Sequence, residues 1–255
     1  MHSETNDKDL MMPGDIFLMC GEGSEWLAQL QKFIYKKAKS SHVMISMGDG
    51  TFVHSTTDGG VHFTAYPSIS ESLKEGWRVI RKSGLSQDDY ERLQKSAMFY
   101  AGQAYNYKFF LSGDDRSSFC SELSAKIYSL ANIELILERE PSKITPAHLD
   151  KIADDGGKWK DVTSAYVNGF ASIDADPQAY AIGHSCFFSI IRKRQMMLKM
   201  TDQLFDMLDH IKDGDDSMAR LREKFLSMES EFRKNKNISF WDERKYSTEA
   251  GPAEG

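Results

Sequence analysis

Acyl-transfer chemistry is within reach of a few residues of this chain: Cys120, which opens an apolar helical pattern, and His42 and His54, which lie on a short β-rich hairpin. A thiol attacks an acyl carbon as its thiolate, so a catalytic cysteine needs surroundings that favour the sulfur anion and a partner base. Leu123, Ile127 and Leu130 recur at helical spacing and predict a helix over residues 119–131, with Cys120 in its first turn. Unpaired amide N–H groups and the positive end of the helix dipole stabilise sulfur anion there, and the same N–H groups can receive the oxyanion of a tetrahedral intermediate. An imidazole supplies the base, and a further polar group must hold it in the correct tautomer. His42 with His54 meets both needs.

The two histidines meet only if the chain between them folds in one register. Residues 42–47 and 51–55 are β-rich and flank Gly48-Asp49-Gly50, a three-residue hairpin loop. Pairing Met47 with Thr51 sets Met44 opposite His54 and His42 opposite Thr56. His42 and His54 then become diagonal neighbours on one face, with Cβ atoms roughly 7 Å apart. Val43, Ile45, Met47 and Val53 take the other face, which is expected to be the core face. A slip of one residue would part the histidines.

Other elements frame this hairpin. Pro13-Gly14-Asp15 reads as a turn launching a strand over residues 16–20, and Trp26, Leu27, Leu30, Phe33 and Ile34 predict a short helix ending at Lys36, Lys37 and Lys39. Strands are expected over 60–65 and 77–81, and a helix over 86–102 begins at Ser86 with Asp88 and Asp89. A loop at Gly113-Asp114-Asp115 precedes the cysteine helix, and residues 141–152 hold a loop and a short helix. Asp154-Asp155-Gly156-Gly157 reads as the exit from this domain. Beyond it, Phe187, Ile191, Leu198, Phe205, Leu208 and Ile211 form one apolar stripe and Met218, Leu221, Phe225, Met228 and Phe232 a second, with residues 213–216 between them, the pattern of a helical hairpin. The expected organisation is a catalytic domain over 11–157, a helical extension over 158–246, and disorder over 1–10 and 247–255.

Composition narrows the function classes. A formal charge of −6 and a pI near 5.7 argue against nucleic acid as a partner. Cys20, Cys120 and Cys186 are odd in number, far apart and without a C-x-x-C pair, which suggests reduced thiols rather than a disulfide framework or a zinc knuckle. The start of the chain is polar and acidic where a signal peptide would be basic and then apolar. No stretch reaches the roughly 18 apolar residues of a membrane span. We therefore expect a soluble protein without a transmembrane segment, cytoplasmic or exported without a cleavable leader.

Taken together, Pro13-Gly14-Asp15-Ile16, Ser41-His42-Val43, Gly50-Thr51-Phe52-Val53-His54-Ser55 and Phe119-Cys120-Ser121-Glu122-Leu123 resemble circularly permuted NlpC/P60 proteins of the YiiX/YebB-like group. In ordinary NlpC/P60 enzymes the cysteine helix precedes the histidine hairpin, and here the order is inverted. The resemblance covers residues 12–150, includes Gly102-x-x-Tyr105, and implies a permuted papain-like α+β fold with an antiparallel sheet. It implies Cys120 as nucleophile, His42 as base, His54 as the residue orienting it, and Tyr105 near the oxyanion site. No cofactor is required.

Blander readings stand beside this one. A cysteine at a helix start is often a small buried side chain. A second reading gathers His42, His54, His62 and Cys120 as zinc ligands, but they lack the short ligand pair of structural sites, and no metal is expected. Cys20 and Cys186 read as inert apolar residues, and His62, His148, His184 and His210 as solvent or core groups. Residues 187–200, with Arg192-Lys193-Arg194, have the composition of an interfacial membrane helix, yet the continuing apolar stripe favours a packed one. The reading adopted is a thiol hydrolase cleaving an amide or ester through a Cys120 acyl-enzyme, with cell-wall peptide as the substrate suggested by NlpC/P60 relatives. It would serve as an antibacterial effector if paired with an immunity protein. An acyltransferase, a lipid amide or ester hydrolase, and a non-catalytic interaction module are the alternatives.

Overall fold

The structure is a computed structural model that describes residues 10–20, 25–73, 75–108, 116–136, 139–209 and 216–234. The disorder expected over 1–9 and 247–255, the loop at Gly113-Asp114-Asp115, residues 213–215, His210 and the side chain of Cys186 fall outside these. The chain divides between Ile191 and Arg192 into two compact units.

The first unit is α+β. Six strands, β1 (Pro13–Met19), β2 (His42–Gly48), β3 (Thr51–Thr56), β4 (Gly60–Ala65), β5 (Arg78–Lys82) and β8 (Trp159–Asp161), form one sheet in the order β4-β3-β2-β1-β5-β8. Every neighbouring pair is antiparallel. Two residues each from β6 (Ala104–Tyr105) and β7 (Ser117–Ser118) pair in parallel beside it. The helices are α1 (Glu25–Ile34), α2 (Tyr66–Ile69), α3 (Gln87–Tyr100), α4 (Cys120–Leu130), α5 (Pro146–Asp155) and α6 (Thr163–Ala175). Ser86 caps α3 in a capping box with Asp89, as its sequence suggests. Helix α7 (Pro177–Asp209) crosses the division, and α8 (Asp216–Lys234) belongs to the second unit. Among the described residues no helix is long and apolar enough to cross a membrane.

Both faces of the sheet are buried, which corrects the expectation of one core face. Ile16, Leu18, Val43, Ile45, Val53 and Ile80 pack with Leu93 of α3, Leu123 and Ile127 of α4 and Leu149 of α5. Their strand neighbours Phe17, Met44, Phe52 and Val79 point the other way, onto Tyr166, Phe170 and Ile173 of α6. A strand covered on both sides reads as a continuous apolar run, as Ile16-Phe17-Leu18-Met19 does, rather than as an alternation. The boundary expected at residue 157 is displaced for the same reason. Strand β8 extends the sheet through β5, and α6 covers its second face, so both belong to the first unit.

Pro13-Gly14-Asp15 is not a turn before β1 but a bulge inside it. Pro13 pairs with Met47 and Ile16 with Ile45, leaving Gly14 and Asp15 opposite a single partner residue. Gly14 has φ +86°, and a Cβ there would lie 2.4 Å from Leu93 Cδ1. The bulge turns Asp15 inward, where it accepts from Arg81 Nε and Nη2 at 2.7 Å each and from the Tyr166 hydroxyl at 2.8 Å. Three elements distant in sequence are joined at this one carboxylate.

Candidate active site

Cys120 is the first residue of α4 and is 7% exposed. The start of this helix is fastened from several sides. Glu122, fully buried, reaches back to accept the Phe119 N–H at 3.2 Å and also accepts Asn106 Nδ2 at 2.9 Å. Lys126 Nζ lies 3.0 Å from its other oxygen. Ser121 donates to Ile144 O at 2.8 Å, tying the first turn to the segment before α5. Ser118 O, two residues before the cysteine, accepts from Ser55 Oγ at 2.5 Å and from the Asn106 N–H at 3.2 Å.

The histidines come from the neighbouring strands. His42 opens β2, and the loop leading into it is held by Asp150 of α5. Its fully buried carboxylate accepts the N–H groups of Lys39 and Ser40 at 2.7 and 2.8 Å and the Ser40 hydroxyl at 2.8 Å, with Arg78 at 3.0 Å as counter-charge. The body of the hairpin has the register read from sequence, with Ile45 opposite Val53 and Ser46 opposite Phe52. Its tip differs: Gly48 pairs with Thr51, and the irregularity falls at Met47. The bulge absorbs the odd residue near the loop, so the strand halves that carry the histidines keep their alignment.

His42 Nε2 lies 3.0 Å from His54 Nδ1, with the rings inclined at 75°. Sequence reasoning left His62 outside the site, but the structure brings it in. His54 and His62 are directly opposed across β3 and β4, His54 Nε2 is 2.9 Å from His62 Nε2, and His62 Nδ1 is 3.0 Å from Gly60 O. The pairing rule that joined His42 to His54 also finds His62, once Thr57-Asp58-Gly59 is taken as the turn between β3 and β4.

Each histidine's successor in the chain leads to the cysteine. Ser55, after His54, makes the bond to Ser118 O described above, and the N–H groups of Val43, after His42, and of Ser121 lie near enough to the Cys120 sulfur to favour its anion. Tyr105 in β6 sits opposite Ser118 of β7, close enough to Cys120 for the sulfur's charge to act on its phenol. Gly102, at the start of this segment, donates its N–H to Val61 O at 2.7 Å, and Val61 N–H donates to Gln103 O at 2.8 Å. These bonds anchor the Tyr105 segment to β4.

Burial dominates the electrostatics of the site. It pushes the Cys120 thiol up to about 11, against the opposing effect of the nearby N–H groups, so the acidified thiol expected at a helix start is not what this site holds. Burial, with repulsion from His62, brings His42 down to about 4. Burial, with His42 and His62, holds His54 well below the ordinary histidine range. Burial first, then Cys120 and Tyr107, raises the phenol of Tyr105. At neutral pH the resting site is therefore a thiol with His42 and His54 neutral.

Among the described residues no group of three or more His, Cys, Asp or Glu is arranged to hold a metal ion. The geometry of the histidines gives the reason: their nitrogens face one another in pairs at hydrogen-bond distance instead of converging on one point. Cys20 lies apart from these contacts and donates to Lys39 O at 2.9 Å. His148 caps α5 with Thr145, and His184 stacks on Tyr180. No protein-family model, curated protein or solved structure matches this chain.

Proposed function

We propose that this chain is a cysteine hydrolase of permuted papain-like fold that cleaves an amide or ester through an acyl-enzyme on Cys120. The observation that carries the reading is the hydrogen-bonded pair His42 and His54, joined through Ser55 to the segment just before the thiol, with the Val43 N–H near the sulfur. His42 Nδ1 takes the thiol proton as sulfur bonds to the acyl carbon, so the base works during attack rather than by storing an ion pair beforehand. The N–H groups at the start of α4 and the Tyr105 hydroxyl receive the oxyanion. His42 then returns the proton to the departing amine or alcohol, and next removes one from the water that releases the acid. His54 keeps the imidazole in place.

Cell-wall peptide is the first substrate class to test, in keeping with the motif resemblance to NlpC/P60 enzymes, and an antibacterial role would bring an immunity protein as partner. The test is incubation with isolated peptidoglycan and, separately, with a lipid extract, followed by mass analysis of the products. New amines or acids that vanish with Cys120→Ala and with His42→Ala support the proposal. Products from peptidoglycan would assign a cell-wall amidase or endopeptidase, and products from lipid a lipid hydrolase. Acyl groups moved to an added amine in preference to water would make the protein a transferase. Release that persists in Cys120→Ala would remove the cysteine from the mechanism.

A further inference from the structure

The row His42, His54, His62 ends on a backbone carbonyl, and that end gives the row a direction. A carbonyl oxygen only accepts, so His62 carries a proton on Nδ1, 3.0 Å from Gly60 O, and with one proton on the ring its Nε2 is the acceptor. His54 must then donate from Nε2 across the 2.9 Å contact, which leaves its Nδ1 as a lone pair. His42 in turn donates from Nε2 across 3.0 Å. Its Nδ1 is left as the nitrogen without a proton, the form a general base requires. With the row reversed, a lone pair of His62 would face the lone pairs of Gly60 O, and the proton would sit on His42 Nδ1, where it disables the base.

We propose that His62 is a positioning residue that sets the tautomer of His42 through His54. The proposal rests on reading Cys120 and His42 as the catalytic pair. A water or a hydroxyl at the end of the row could rotate and serve either direction, whereas a peptide carbonyl serves only one. This carbonyl is also held still. Thr56 pairs with Gly60 in the same ladder that opposes His54 to His62. Gly60 has φ +58°, and a Cβ there would lie 2.2 Å from Gln103 O, so the chain approaches the Tyr105 segment too closely for any side chain at this position. The row thus selects the tautomer without placing a negative charge in the site, which suits two imidazoles that burial keeps neutral.

The test compares His62→Gln and His62→Leu in the full chain. Glutamine offers an amide oxygen to His54 and an amide N–H to Gly60 O, whereas leucine offers neither. Two-bond proton–nitrogen NMR on histidine-labelled protein reports which ring nitrogen of each histidine bears the proton, with His42→Gln identifying the His42 signals. We expect His42 protonated on Nε2 in the parent protein and in His62→Gln, and a loss of that preference in His62→Leu. Turnover should fall about 10- to 100-fold in kcat for His62→Leu with KM little changed, and His62→Gln should recover most of it. A parent His42 protonated on Nδ1, an unchanged tautomer in His62→Leu, or a His62→Gln as slow as His62→Leu would each overturn the proposal. The parent spectrum and His62→Gln decide the matter even if His62→Leu fails to fold. Because the tautomer is read without turnover, a failure of the hydrolase reading, seen as products indifferent to Cys120→Ala, is separate from a failure of this one.

Discussion

The pH dependence of Cys120 alkylation follows directly from how the site is buried. With the thiol at about 11 and His42 at about 4, moving the proton from sulfur to imidazole in the free protein is uphill by on the order of 10 kcal/mol. At pH 8 the thiolate fraction is then about one in a thousand, against roughly a quarter for an unperturbed cysteine. Alkylation by iodoacetamide, followed by timed quenching and peptide mass mapping, should be correspondingly slow at Cys120 and should rise about tenfold per pH unit between roughly pH 7 and 10. His42→Ala supplies the second arm. A neutral imidazole contributes no counter-charge, so this variant should keep the slope of the alkylation profile while losing turnover. A rate that is flat across the neutral range and collapses in His42→Ala would mean a preformed thiolate and imidazolium pair, and the reasoning from burial would be wrong.

Other consequences are open to direct measurement. His42→Ala should abolish most turnover with the fold intact. His54→Ala should cost about 10- to 100-fold, with partial recovery in His54→Gln, and a harmless His54→Ala would exclude the orienting role. Asp150→Ala leaves the Lys39 and Ser40 amides without their acceptor and Arg78 without a buried partner, so urea denaturation should show a loss of about 3–5 kcal/mol, and a loss under about 1 kcal/mol would show that this carboxylate does not hold the loop before His42. Acid should also destabilise the protein: His42 stays neutral in the fold to about pH 4 while the unfolded chain takes up its proton near 6.5, so stability is full above 6.5 and declines as pH falls to 4, by on the order of 3 kcal/mol. Partly buried His148, also held near 4, and His54, held well below the ordinary histidine range, add loss as pH falls below 6.5, so His42→Gln should flatten the curve only in part, and a curve unchanged in that variant would contradict the assignment.

Short-range pattern was enough to read the hairpin body and the start of α4. The alignment of His42 with His54 needs only the two-residue period of a strand and one turn, and the place of Cys120 needs only the helical spacing of Leu123, Ile127 and Leu130. His62 was legible by the same rule, because the turn at Thr57-Asp58-Gly59 and the strand expected over 60–65 set it opposite His54. Other features had no local signal. Asp15 became part of a bulge because Arg81 and Tyr166, 66 and 151 residues away, converge on its carboxylate. Helix α6 joined the first unit because Phe17, Met44 and Phe52 required cover on a face whose partner lies more than a hundred residues on. The acidity of Cys120 belongs to this second kind. A helix start lowers a thiol's pKa in isolation, and that effect is legible in the sequence, but the desolvation that outweighs it arises only when β2, β3 and the Tyr105 segment close around the sulfur. Periodicity along a chain decides which side chains share a face, and only the assembled layers decide how much water each one keeps.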